Sequence, residues 1–232
     1  MTFETVWAVY YSGTGTTRRV LQTMAAAAGE ALGIPVRELD YTLPERREKR
    51  NTFCEKDLIF WGSPTYAGRL PNVLLPFLRQ NFSGGGAAAA AVVLYGNRSY
   101  DDALKELCEV LAADGFLPAA AAALVGEHAF APLLAHGRPA AARSAAAEDF
   151  ARRTALALRE IKRPQPVKVP GREPIGAYYT PLMPNGEPAR FLKAKPVTDS
   201  ASCTRCGLCA ARCPMGSIPK EEPTVCSGIC IK

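Results

Sequence analysis

The chain is short of several things, and each shortage narrows the reading. Two histidines occur in 232 residues. No nucleophile–histidine–acid set and no carboxylate pair can be picked out, which disfavours a hydrolase. No apolar run reaches the roughly 20 residues that a membrane span needs, so no membrane partner is expected. The opening, MTFETVWAVYYSGTG, carries neither a basic leader region nor a small-residue cleavage site. It reads as a mature N-terminus, and the expected location is cytoplasmic.

Net charge is missing from the first two thirds. Residues 1–161 hold 17 basic and 17 acidic side chains, whereas residues 162–232 hold 11 and 5, a difference of 11 − 5 that is the whole +6. The basic residues of that tail are scattered rather than clustered, so nucleic acid is not the expected partner. An acidic protein partner, or compensation for an anionic cofactor, fits better. What remains is ordinary: 48% hydrophobic and 22% charged residues suffice for a packed core and argue against wholesale disorder.

Cysteine is unevenly spread. Cys54 and Cys108 stand alone in apolar surroundings and are expected to be buried structural thiols. The other six fall between Cys203 and Cys230. Without a leader peptide, metal ligation is a better reading than disulfides. Four of them form the run Cys203-x-x-Cys206-x-x-Cys209-x-x-x-Cys213-Pro214. Zinc competes for thiolates, but its sites usually pair two C-x-x-C knuckles across a longer gap. Three evenly spaced cysteines followed by Cys-Pro favour a [4Fe–4S] cluster, with Gly207 allowing a close turn.

Along the chain, TVWAVYY (5–11) is a short β-rich run, SGTGTT follows, and a helical pattern begins with Val20, Leu21, Met24 and Ala28 on one side. Gly33 closes that helix, and IPVREL is a second strand. DLIFWG (57–62) shows no polar alternation, as befits a strand buried on both faces. SPTYAGRLPN is a loop and VLLPFLRQN a short helix. AAAAAVVLYG is a fourth strand despite its alanines. A helix opening on Asp101 and Asp102 suits the helix dipole. A fifth strand lies in LPAAAAALVGEHAF. A long last helix follows, with Phe150, Leu156 and Ile161 expected on its apolar face. Strands and helices alternate to residue 161, which implies an α/β domain with a parallel sheet. Proline then becomes frequent up to residue 196, where an irregular linker is expected.

The first strand runs into Ser12, Gly13, Thr14, Gly15, Thr16 and Thr17, and then into a helix. Backbone amides and hydroxyls at a helix N-terminus stabilise an anion. A Walker loop would need a Gly-Lys pair that is absent, and a dinucleotide fingerprint would need glycine where Arg18 stands. Four hydroxyls in six residues suit a terminal phosphate monoester. Two further loops follow strands: Ser63, Pro64, Thr65, Tyr66, Ala67 and Gly68, then Tyr95, Gly96, Asn97, Arg98, Ser99 and Tyr100.

With these three loops the N-terminal part resembles the flavodoxin family. The resemblance implies a doubly wound five-stranded parallel sheet of order 2-1-3-4-5 that binds FMN at its switch point. The first loop would hold the FMN phosphate. The other two would border the ring, with Tyr66 or Tyr100 as stacking candidates. His128, in GEHAF, is expected to be structural, near the same edge.

The C-terminal run resembles bacterial-type ferredoxins. In two-cluster ferredoxins the fourth cysteine of each run ligates the other cluster. That pattern implies that Cys203, Cys206 and Cys209 hold one cluster and that Cys213 reaches a second, whose run would begin at Cys230. Lys232 follows at once. One cluster is therefore expected here, and two if the chain continues. Either the sequence stops inside the second motif, or Cys213, Cys226 or Cys230 completes a single-cluster module.

The expected organisation is a flavodoxin-like domain (1–162), a proline-rich linker (163–199) and a small ferredoxin-like iron–sulfur module (200–232). Such fusions are electron-transfer proteins, so the resemblance implies one-electron exchange between [4Fe–4S] and FMN, with ferredoxin or a reductase as redox partner. The alternatives are a flavin-dependent oxidoreductase fed through the cluster and, more remotely, a redox sensor.

Overall fold

In the computed structural model, residues 1–129, 131, 133–189 and 195–231 are described, without the side chains of 141–143. Phe130 of the GEHAF segment, residues 190–194 of the linker and Lys232 of the basic tail lie outside them. Five strands, β1 (Thr5–Tyr10), β2 (Val36–Asp40), β3 (Asp57–Pro64), β4 (Ala88–Tyr95) and β5 (Leu117–Val125), form one parallel sheet. Its order is β2-β1-β3-β4-β5, the flavodoxin-like 2-1-3-4-5 arrangement. A separate pair, Asn51–Thr52 with Phe82–Ser83, adds a short parallel bridge.

The helices cover both faces. Helix α1 (Thr16–Leu32) and α4 (Ala141–Glu160) lie on one, against Ala8, Tyr10, Leu58, Phe60, Ala88 and Ala90. Helices α2 (Leu75–Gln80) and α3 (Ala103–Ala113) lie on the other, against Val9, Ile59, Trp61, Ala89 and Ala91. Successive strand side chains point to opposite faces, so a strand buried on both sides reads as a continuous apolar run. The alanines of β4 are fully buried. Their small side chains let helices approach closely from both sides.

Two expectations fail. Cys54 is exposed, while Cys108 is buried. Cys54 lies in the turn that donates its amide to Asp57, outside the helix–sheet interface that covers Cys108. On α4 the buried stripe is Ala147, Ala151, Ala155 and Leu158, whereas Leu156 and Ile161 are exposed. Small residues let α4 approach α1, and that choice turns Leu156 outward.

The segment after α4 has little regular structure, yet it is held to the sheet domain. Val167 donates its amide to Pro118 O, and Val167 and Val169 pack on the core. Among its described residues the C-terminal module contains one short helix, α5 (Leu208–Ala211).

Candidate functional site

The first three loops leave the carboxyl ends of β1, β3 and β4, which are neighbours in the sheet. The strand order reverses between β1 and β3, the place where ligands bind in open α/β sheets. The structure therefore brings Ser12–Thr17, Ser63–Gly68 and Tyr95–Tyr100 to one edge. Gly62 makes this possible. A Cβ there would meet Leu21 at 2.3 Å and Thr17 at 2.9 Å, so glycine lets α1 sit close to β3.

The first loop turns at Gly15, in the left-handed region at φ 86°, directly before α1. The glycine cap offers no side chain to the first-turn amides. Ser12 Oγ accepts from Arg18 N–H at 3.0 Å, and Thr42 Oγ1 accepts from Ser12 N–H at 2.9 Å. Gly13, Thr14 and Gly15 are exposed, Ser12 and Thr16 half-buried, and Thr17 buried.

In the second loop Ser63 and Gly68 are buried, Pro64, Thr65 and Tyr66 half-buried, and Ala67 exposed. Tyr66 and Arg69 exchange two backbone hydrogen bonds around Ala67 (φ 49°) and Gly68 (φ 78°). Two successive positive φ values make a type I′ turn. In the third loop Asn97 is exposed at φ 72°, and Tyr95, Gly96 and Tyr100 are half-buried. The Tyr95 and Tyr100 rings lie 5.5 Å apart. His128 stands against Gly96, where an added Cβ would lie 2.5 Å from its ring, and its Nδ1 accepts from Ala131 N–H.

Whether these loops suit a flavin can be judged from their unmet polar groups. Among the described residues, Tyr11 Oη and Thr65 Oγ1 are two of three buried side-chain polar atoms without a hydrogen-bond partner. Both belong to this edge. Such groups carry a desolvation cost until something pairs with them. The Tyr11 and Tyr66 hydroxyls both lie near Gly13. They interact with each other, yet Tyr11 Oη has no partner that meets full hydrogen-bond geometry. Burial raises the pKa of both hydroxyls and pushes that of Tyr11 well above the usual tyrosine range. Hydroxyls, a glycine-capped helix start and two aromatic loops fit a phosphorylated aromatic cofactor.

The second site is the cysteine run. Cys203, Cys206 and Cys209 line one open cavity of about 580 Å³ together with Asp199, Arg212 and Pro223. The Leu208 amide and the Thr204 hydroxyl donate to Cys206 and hold its thiol below the usual range. Gly207, at φ 71°, caps α5 just after it. Cys213 does not line that cavity, and its sulfur accepts from Ser217 N–H at 3.3 Å. Among the described residues no three potential ligands are drawn together tightly enough for a single metal ion. Three thiols around one cavity, with N–H donors to sulfur, fit a cluster larger than one ion.

The two sites meet. Arg47 Nη2 donates to Pro214 O at 2.6 Å, and the guanidinium lies 5.8 Å from the Tyr11 ring centre. Cys230 lies near enough to Tyr66 to raise its pKa further, and Ile231 packs on the core. Tyr11 and Arg47 were not legible as site residues. Tyr11 sits beside the glycine-rich loop, but Arg47 is hidden in a charged turn with no motif.

Residues 196–218 match the 4Fe-4S binding domain family, and that stretch contains Cys203, Cys206, Cys209 and Cys213. No curated protein sequence matches the chain. Among solved structures it is similar to a flavodoxin from the domain Archaea, 13% identical, covering 67% of this chain and 99% of that one, with a TM-score of 0.43. It is similar to the two-electron reduced flavodoxin of Megasphaera elsdenii at 20% identity, 64% and 98% coverage and a TM-score of 0.38. It is also similar to an NADH:FMN oxidoreductase in its apo form, at 18% identity, 66% and 90% coverage and 0.46. None of these likenesses adds to what the strand order itself establishes.

Strand order and family match together define the class: a flavodoxin-like α/β domain joined to a ferredoxin-type 4Fe-4S module. Among the described residues no helix is long and apolar enough to cross a membrane.

Proposed function

We propose that this protein transfers single electrons between a [4Fe–4S] cluster and FMN. One observation supports this reading most: Arg47 bonds Pro214 of the cysteine-rich module while its guanidinium overlies Tyr11 beside the first loop, and Ile231 packs on the core of the sheet domain. In this reading Cys203, Cys206 and Cys209 hold the cluster, completed by Cys213 or a cysteine near the C-terminus. The amides and hydroxyls of Ser12–Thr17 bind the FMN phosphate. Thr65, Tyr66, Asn97 and Tyr100 flank the ring. When bound, FMN stores one or two electrons while a cubane exchanges one at a time. The chain's own task is to hold the two cofactors adjacent and to keep the ring's inner side dry. Partners would be redox proteins such as a ferredoxin or a reductase.

A second reading, reduction of a small acceptor at the flavin, is favoured by the exposure of Gly13, Thr14, Ala67 and Asn97 around the site. Turnover with quinones, measured beside exchange with a ferredoxin, separates the two.

Anaerobic purification tests the main reading. Iron, acid-labile sulfide and released flavin should give about four irons and about one FMN per chain. A colourless protein that binds no added FMN and accepts no reconstituted cluster would sink it.

A further inference from the structure

Residues 171–179 have the composition of a linker but the bonding of a structural element. Three donors converge on Asp102, whose side chain is 3% exposed. They are the Arg172 amide, the Arg172 Nε and the Gly176 amide, each at 2.9 Å. Burial alone would raise the pKa of Asp102, but these donors and the Arg172 charge hold it below the usual carboxylate range. Asp102 also donates its own amide to Gly68 O at 3.0 Å. Beside it, buried Glu106 takes Arg69 and the Leu70 amide, and Arg69 reaches Gly176 O.

Tyr178 and Tyr179, at the end of the segment, touch the loops of the candidate flavin site. Tyr178 Oη donates to Leu70 O at 2.8 Å, and Tyr179 N–H donates to Ala67 O at 2.8 Å. The Arg98 guanidinium stacks over the Tyr179 ring, 3.8 Å from its centre. Tyr179 thus holds the second loop through its backbone and the third through its ring.

Those loops need holding. Ala67, Asn97 and Asp101 all have positive φ, at 49°, 72° and 40°. Each such non-glycine residue is disfavoured on its own and persists only where its surroundings over-determine it. Left alone, the loops would relax, and a ligand would have to supply the ordering on binding.

We infer that residues 171–179 are a positioning strap, with Tyr179 and Asp102 fixing the second and third loops of the flavin site before the cofactor arrives. The inference rests on the flavin reading of those loops. Tyr179 and Asp102 act through the loops and are not themselves cofactor ligands.

The test uses the full-length protein without flavin, in two arms. Amide hydrogen exchange reads the loops directly, and quenching of FMN fluorescence reads affinity. Tyr179→Ala keeps the amide bond to Ala67 O but removes the ring under Arg98, so it should speed exchange at Asn97–Asp102, leave β1 and α1 protected, and weaken FMN binding by about tenfold, while Asp102→Asn should speed exchange at Tyr66–Arg69 as well. Tyr179→Phe, which keeps the ring and the amide, should match wild type in both arms. Asp102→Asn reaches the same loops from the other end and decides the matter if Tyr179→Ala fails to fold. Wild-type exchange at Asn97–Asp102 in Tyr179→Ala and at both loops in Asp102→Asn would overturn the strap. Faster exchange with unchanged FMN affinity would overturn its role in the site. If wild type itself binds no FMN, the flavin reading fails, while the exchange arm still reports on the strap.

Discussion

Arg47 Nη2 lies 2.6 Å from the carbonyl oxygen of Pro214, the residue after Cys213. The same guanidinium donates to Tyr41 O at 2.9 Å and to Thr42 O, and it overlies Tyr11. One side chain therefore ties the loop after β2, the floor of the first loop and the cysteine-rich module together. Gly216 completes the seat, since a Cβ there would lie 3.3 Å from Pro44.

Removing that side chain should loosen the seat. Burial lowers the pKa of Arg47, but a guanidinium remains charged at neutral pH. Arg47→Ala deletes charge-assisted bonds to three carbonyls and leaves them half-buried, a cost of about 2–3 kcal/mol. Residues 214–231 should become sensitive to limited proteolysis while the sheet domain stays resistant. Arg47→Lys should recover only part of the protection, because an ammonium cannot span the same acceptors. Unchanged cleavage in Arg47→Ala would contradict this account of the interface.

The cysteines divide by position. Cys203→Ser, Cys206→Ser and Cys209→Ser each remove a thiol from the shared cavity and should each abolish or nearly abolish bound iron. Cys54 is exposed and far from the run in sequence, so Cys54→Ser should retain wild-type iron and sulfide. Equal iron loss in all four variants would point to general instability rather than ligation.

Much of this was legible beforehand, for identifiable reasons. Strands buried on both faces leave unbroken apolar runs, so DLIFWG and the alanine-rich β4 could be placed, and the loops that follow them came with them. The cysteine spacing is short and local, so the match at 196–218 required no tertiary knowledge. Arg47, Asp102 and Tyr179 were not legible. Each acts across more than sixty residues of sequence, and none belongs to a periodic pattern. Asp102 reads equally well as an ordinary dipole partner at the start of α3 until its donors are seen. Leu156 was misplaced because hydrophobicity alone cannot show that α4 packs through its alanines.

Gly62 is a packing glycine, and its replacement should be felt at the first loop. In Gly62→Ala the new methyl meets Leu21 and Thr17 on α1. Overpacking of this kind costs about 1–3 kcal/mol. Helix α1 must retreat from β3, and its N-terminus carries Thr16 and Thr17. The expected result is a lower urea midpoint together with weaker FMN binding. A stability loss at unchanged FMN affinity would mean that the shift does not reach the loop.

Asp114 supplies a pH dependence with a definite sign. It ends α3, where a negative charge opposes the helix dipole, and its Oδ2 is buried without a partner. Burial raises its pKa to about 6, against the pull of Arg79 and Arg50. An unfolded aspartate titrates near 3.9. Between these values the folded chain binds a proton that the unfolded chain has released. Stability therefore falls as pH rises through that window, and the loss is complete above pH 6. The group is partly open to solvent, so screening reduces the loss to about 1 kcal/mol. Asp114→Asn keeps the shape and cannot ionise. It should be more stable than wild type by about 1 kcal/mol at pH 7 and equal to it near pH 4. Urea melts of both proteins at the two pH values make the comparison. A gain of the same size at both would assign the effect to packing instead of charge.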